Sequence, residues 1–189
     1  MIYFISDLHF GHANIIRYEN RPFSSPDEMD RALIARWNAR VKPEDTVYIL
    51  GDVSWYGADK AGAILKSLNG KKVLIRGNHD DYWLNGDNLR LFEAVYDYRE
   101  IKVDGRHVVL SHYPIPFYNR QHKGAVMLYG HVHTTREWNI IESLRRDLQR
   151  LGIPCHLYNV GCMVWNFEPV TLEEILADPR FQPEQVENP

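Results

Sequence analysis

The sequence predicts an α/β protein, on three observations. Strand-like apolar runs alternate with helix-like amphipathic segments through the first half of the chain. The second half is richer in strand-like runs. Five runs end, at their carboxyl edge, in Asp, Asn or His, and open α/β sheets bind ligands at that edge. The strongest case is Lys72-Val73-Leu74-Ile75-Arg76-Gly77-Asn78-His79-Asp80. It joins a buried strand, a glycine that permits crowded backbone, and three polar side chains.

Taken in order, Ile2 to Ser6 is the first strand, and Asp7 to Phe23 follows as a loop. Ser25-Pro26-Asp27-Glu28 is a helix start, with Ser25 as N-cap, Pro26 at the first helical position and Glu28 closing a capping box. That helix runs to about Ala39, with Met29, Leu33 and Trp37 on one face. Thr46 to Gly51 is a strand, and Ala58 to Leu68 is a helix stopped by Asn69-Gly70. After the Val73–Ile75 strand, Tyr82 to Asn88 reads as a loop, with a short helix at Leu89 to Glu93.

Asp104-Gly105 marks a hairpin between Glu100–Val103 and Arg106–Leu110. Pro114 to Tyr118 cannot be regular structure. Ala125 to Tyr129 is a strand. Asn139 to Leu151 is a helix with Ile140, Ile141, Leu144, Leu148 and Leu151 as its apolar face. Cys155 to Val160 is a further strand. Thr171 to Glu174 is a second capping box, opening a short helix from Leu172 to Ala177. The tail from Asp178 reads as irregular.

At 189 residues one domain is expected, with 44% hydrophobic and 25% charged residues typical of a globular protein. A net charge of -3 gives no cationic field to draw the chain onto nucleic acid or an anionic membrane. Cys155 and Cys162 form no C-x-x-C pair and read as buried thiols. Neither a signal peptide nor a membrane span is visible, so a cytoplasmic protein is expected. Oligomeric state is left open.

The polar run-ends stand in order as Asp7-Leu8-His9, Gly51-Asp52, Gly77-Asn78-His79-Asp80, His112 and Gly130-His131-Val132-His133. Alone, Asp52 reads as a turn residue and His112 as an ordinary hydrogen-bonded histidine. As an ordered set from Asp7 to His133 they resemble the calcineurin-like metallophosphoesterases. The resemblance implies an α/β/β/α sandwich of two mixed sheets flanked by helices. It also implies that Asp7, His9 and His133 hold one metal ion, that Asn78, His112 and His131 hold a second, and that Asp52 bridges them. By the same resemblance, His79 contacts the phosphate and protonates the leaving oxygen, with Asp80 orienting it.

The residue types suit this chemistry. Two carboxylates, one amide and four imidazoles exceed what one ion takes while keeping an open position. Mixed N and O donors without thiolate fit Mn first, with Fe, Zn or Ni as alternatives. In D-x-H and H-x-H, residues two apart share a side if the backbone is extended, which would turn Leu8 and Val132 into the apolar layer. His12 and Arg17, in the loop after His9, are candidates for substrate contact. Trp55, Tyr56, Tyr82, Trp83, Tyr113 and Tyr118 follow site-forming runs and either stack a flat group or, more simply, pack loops.

The expected activity is hydrolysis of a phosphomonoester or phosphodiester by a metal-bridging hydroxide. A small phosphate ester, a nucleotide among the candidates, is the expected substrate. Two alternatives compete: a nuclease, disfavoured by charge, and a protein-interaction scaffold, disfavoured by the complete ligand set.

Overall fold

A computed structural model describes residues 1–181 of the chain. Its first sheet contains β1 (Ile2–Ile5), β2 (Thr46–Ile49), β3 (Lys71–Ile75) and β4 (Ala94–Tyr96), in that order and parallel throughout. The second contains β5 (Tyr98–Val103), β6 (Arg106–Ser111), β7 (Val126–Tyr129) and β8 (Leu157–Asn159). Here β5 is antiparallel to β6 and the rest are parallel, so this sheet is the mixed one.

Both faces of each sheet are covered, which is why the strands read as continuous apolar runs. Phe4, Leu50 and Ile75 meet Val108, Leu110, Val126, Leu128 and Tyr158 between the sheets. Their neighbours along the strands point the other way, because side chains alternate. Tyr3, Ile5, Val47, Ile49 and Leu74 pack outward on Leu33, Trp37 and Leu65. Those residues belong to α2 (Pro26–Arg40) and α3 (Ala58–Ser67). Val109, Met127, Tyr129 and Leu157 pack outward on Leu148, Ile141 and Leu144 of α5 (Arg136–Arg150), the fifth of six α-helices among the described residues. The result is the expected α/β/β/α sandwich.

Several elements differ from expectation. The Asp7–Phe23 loop contains α1 (Ala13–Tyr18), whose N-cap His12 makes no side-chain cap bond and so carries no start signal. In α2, Ser25 accepts from Glu28 N, but Glu28 itself accepts from Ser24, so the capping box is half formed. The short helix is α4 (Gly86–Leu89), earlier than expected and capped by Asn85. Helix α5 starts at the Thr135 cap, and Ile140 on its supposed apolar face is 65% exposed. The Asp104-Gly105 turn forms with both residues at positive φ, and α6 (Leu172–Ala177) has the full Thr171/Glu174 capping box. Pro179–Phe181 is a 3-10 turn, and the rest of the expected irregular tail lies outside the described residues.

The two sheets meet at the carboxyl ends of their strands. Ser6 N donates to Val160 O and Cys162 N to Ser6 O, both at 2.9 Å. A Cβ on Gly130 would lie 2.4 Å from Ser6 Oγ, so only glycine admits this approach. No helix among the described residues is long and apolar enough to cross a membrane.

Candidate metal centre

Parallel register sets the ends of β1, β2 and β3 level, with Ile5 beside Ile49 and Ile49 beside Leu74. Asp7, Asp52 and Asn78 therefore emerge along one edge. Leu110 and Leu128 are likewise level, so His112 and His131 emerge along the facing edge. The backbone then departs from the extended form expected of D-x-H and H-x-H. Asp7, His9, Asp52, His131 and His133 all lie in the left-handed region, with φ between 52 and 70°. Such a conformation costs roughly 1–3 kcal/mol for a residue other than glycine and clusters at functional sites. Leu8 and Val132 are buried as expected, but through this winding and not through strand alternation.

Asp7, His9, Asp52 and His133 form one group of donor atoms, and Asp52, His112 and His131 form another. In the first, His9 Nε2 lies 3.3 Å from His133 Nε2, and His133 Nε2 lies 3.7 Å from Asp7 Oδ1. In the second, Asn78 Oδ1 lies 3.1 Å from His112 Nε2 and 3.0 Å from His131 Nδ1. Asp52 Oδ2 stands 3.6 Å from both His9 Nε2 and His112 Nε2, while Oδ1 accepts from His79 N. One carboxylate oxygen thus faces both groups.

The proton positions on two rings follow from their partners. His112 Nδ1 lies 2.7 Å from Leu50 O, a pure acceptor, so Nδ1 carries the hydrogen and Nε2 presents a lone pair. His133 Nδ1 is bonded to the Glu19 carboxylate, which leaves its Nε2 facing His9. Burial pulls the His133 imidazole down, but Glu19 and Asp7 outweigh it and the net shift is upward. Burial holds His9 well below its usual range and raises Asp52 against the pull of His112.

Calcineurin-like phosphoesterase is the family whose profile matches residues 1–152. The chain belongs to the calcineurin-like phosphoesterase family. It is 38% identical to the uncharacterized protein MJ1445 of Methanocaldococcus jannaschii, over 93% of this chain and 89% of that one. It is 34% identical to the gene 66 protein of Mycobacterium phage D29, over 92% and 93%. Among solved structures, a protein of unknown function, AQ665 from Aquifex aeolicus, superposes with a TM-score of 0.69 at 31% identity, covering 93% of this chain and 97% of that one.

In this phosphoesterase the donor set fits a pair of divalent ions. Ligand bonds of about 2.0–2.2 Å place neighbouring donors about 3–3.5 Å apart, close to the spacings found here. The converging atoms are mostly acceptors, which repel one another without a cation. The hydrogen bonds of the Arg21 guanidinium to Asp7 O, Leu8 O and Glu19 leave the converging donor atoms to other partners.

The remaining predicted residues separate. His79 lines a pocket of about 620 Å³ together with Asn78. Asp80 departs from the expected orienting of His79. It is fully buried and accepts from Asp52 N, Val53 N, Gly77 N and Trp83 Nε1 at 2.8–3.1 Å. Burial pushes its carboxyl up to about 6 against those backbone N–H groups. Asp80 therefore clamps the Asp52 turn to the Gly77 turn. A Cβ on Gly77 would lie 2.3 Å from Asp52 Oδ1, so the clamp needs glycine there.

His12 stacks on Trp55, centroids 4.0 Å apart, beside His9. Arg17 is exposed and donates to Asn14, away from the cluster. The aromatics divide: Trp83 and Tyr118 are buried and Tyr56 packs on the core, whereas Trp55, Tyr82 and Tyr113 are exposed.

The bracing roles of four residues escaped sequence reasoning. Glu19 fixes His133, Arg21 braces Glu19 and the Asp7 turn, Ser6 Oγ donates to Asp7, and Asn159 Nδ2 donates to His133 O. Glu19 and Arg21 look like any charged loop residues until the fold buries them.

Proposed function

We propose that the chain is a phosphoesterase dependent on two divalent metal ions, manganese being the first to test. Asp7, His9 and His133 hold one ion, Asn78, His112 and His131 hold the other, and Asp52 serves both. The observation that carries this reading is the convergence of Asp7, His9, Asp52 and His133 in one group and of Asp52, His112 and His131 in another, with Asp52 common to both. Carboxylates and imidazoles gathered this closely, with the Nδ1 hydrogen of His133 committed to Glu19, suit a cation between them.

Bound there, the ions would activate a water nucleophile and neutralise charge on the phosphoryl oxygens. The rest falls to the chain. Asp80 and the His79 N–H keep Asp52 in place. Glu19 and Leu50 O set the tautomers that leave His133 Nε2 and His112 Nε2 free to bind. Water adds to phosphorus, the ester P–O bond breaks, and a ring nitrogen of His79 gives the leaving oxygen its proton. Cys155 and Cys162 are free and buried, consistent with a reducing, cytoplasmic setting.

Chelator-treated protein should be inactive on a small phosphate ester and recover with Mn²⁺ as bound metal approaches two equivalents per chain. Saturation at one equivalent would overturn the two-ion arrangement, and absence of turnover with two ions bound would overturn the enzyme reading. His79→Ala should keep its metal and lose about 10²–10⁴-fold in kcat on esters with an alkoxide leaving group. A nitrophenolate departs without a proton, so its loss should be smaller. Equal losses would make His79 a binder of phosphoryl oxygens.

A further inference from the structure

The pocket beside Asn78 and His79 has walls that the proposed ions do not use. Ser54, Trp55, Asp81 and Tyr82 line it, and Trp55 and Tyr82 are 44% and 78% exposed. Leaving large rings in water forgoes the gain from burying them. Trp83 and Phe92, a short way along the chain, do turn inward. Trp55 is fixed in its outward place. One face stacks on His12 at an interplanar angle of 7°, its ring centre lies 4.6 Å from that of His79, and its backbone N–H donates to Phe10 O at 2.8 Å. The pocket therefore has a rigid flat wall ending at the residues that face the phosphoryl group.

We propose that this pocket takes the base of a small nucleotide whose phosphoryl group sits at Asn78 and His79. The proposal rests on the phosphoesterase reading and names its substrate class. Three features choose this occupant. A volume of about 620 Å³ gives room for a nucleoside, inside the about 300–1,000 Å³ span of small-molecule sites. Every base has a π-face that an indole or phenol ring can stack. The wall also offers no lysine or arginine, and its one carboxylate is Asp81. Arg76 reaches Asp81 at 3.6 Å but is held at 2.6 Å by Asp97. A polyphosphate or a nucleic-acid strand would bring further phosphates to a carboxylate whose cation is shared with Asp97. A base edge brings N–H groups, which a carboxylate accepts.

The test compares adenosine 5′-monophosphate with ribose 5-phosphate, and the methyl diester of each, on the Mn²⁺-loaded protein. Equilibrium dialysis reads binding and kcat/KM reads turnover. The base-bearing member of each pair should bind and react about 5- to 150-fold better, the gain from stacking one base. Tyr82→Ala and Trp55→Leu should each shrink that ratio toward one; Tyr82 is exposed enough that its loss should not disturb folding. Equal binding and equal kcat/KM within the pairs overturn the proposal, as does a ratio that neither substitution changes. A base-dependent binding ratio with no turnover on any of the four supports the pocket and overturns the phosphoesterase reading instead. Tighter, steeply salt-dependent binding of a single-stranded oligonucleotide would overturn the choice of a small nucleotide.

Discussion

Around Asp7, His9 and His133, the donor side chains are braced by neighbours outside the donor group. Asp7 accepts from Ser6 Oγ at 2.7 Å and from His131 N, and His133 is held through Glu19 and Arg21. Around Asn78 and His131 the bracing is thinner. His112 is tied to Leu50 O, but Asn78 is exposed, and the contacts of its side-chain oxygen are His112 and His131. One half is held by several bonds from outside its donor atoms, and the other by fewer. The more thinly braced half also borders the pocket at Asn78.

The largest effect should come from the group both halves share. Asp52→Asn removes the charge that faces His9 and His112, so activity should fall by about 10³-fold or more and at least one ion should be lost. Normal metal content with near-normal turnover would show that Asp52 does not serve both halves.

A smaller and more selective effect separates the halves. Glu19→Gln should weaken one class of metal site by about 10–100-fold, the range for a partner behind a ligand, and spare the other. Asn78→Ala should weaken the opposite class. Metal titration of the two variants checks this. If each substitution weakens both sites alike, the halves form one unit and the contrast drawn here dissolves.

Much of this was legible in the sequence because apolar runs in register must deliver their next residues to a common edge. That logic brings Asp7, Asp52, Asn78, His112, His131 and His133 together without any knowledge of side-chain geometry. The winding that presents them was not legible. The pattern D-x-H looks the same whether Asp7 and His9 are extended or left-handed. Nor could Arg17 and Arg21 be told apart, since only the fold sends one to solvent and the other beneath the Asp7 turn. On α5 the expected apolar face holds at Ile141, Leu144 and Leu148 but not at Ile140 and Leu151, which are exposed, while Arg145 and Glu142 are buried as a pair, with Arg145 also donating to Phe181 O. That contact crosses to a segment the helix pattern does not see.

The seam between the sheets also sets the order in which the chain can acquire its site. β1 to β4 lie within the first 96 residues, and a growing chain can pair them as it emerges. Asp7 must wait for His131, which reaches its carboxylate across 124 residues of sequence. Contacts so distant along the chain form late, because closing the loop costs entropy before anything is gained. A nascent chain ending before β5 can therefore hold a parallel sheet with Asp7, Asp52 and Asn78 along its edge, and none of them has yet met its partners from the second sheet. The donor groups come together only when the two sheets dock, so the site is completed at the end of folding and not at its beginning.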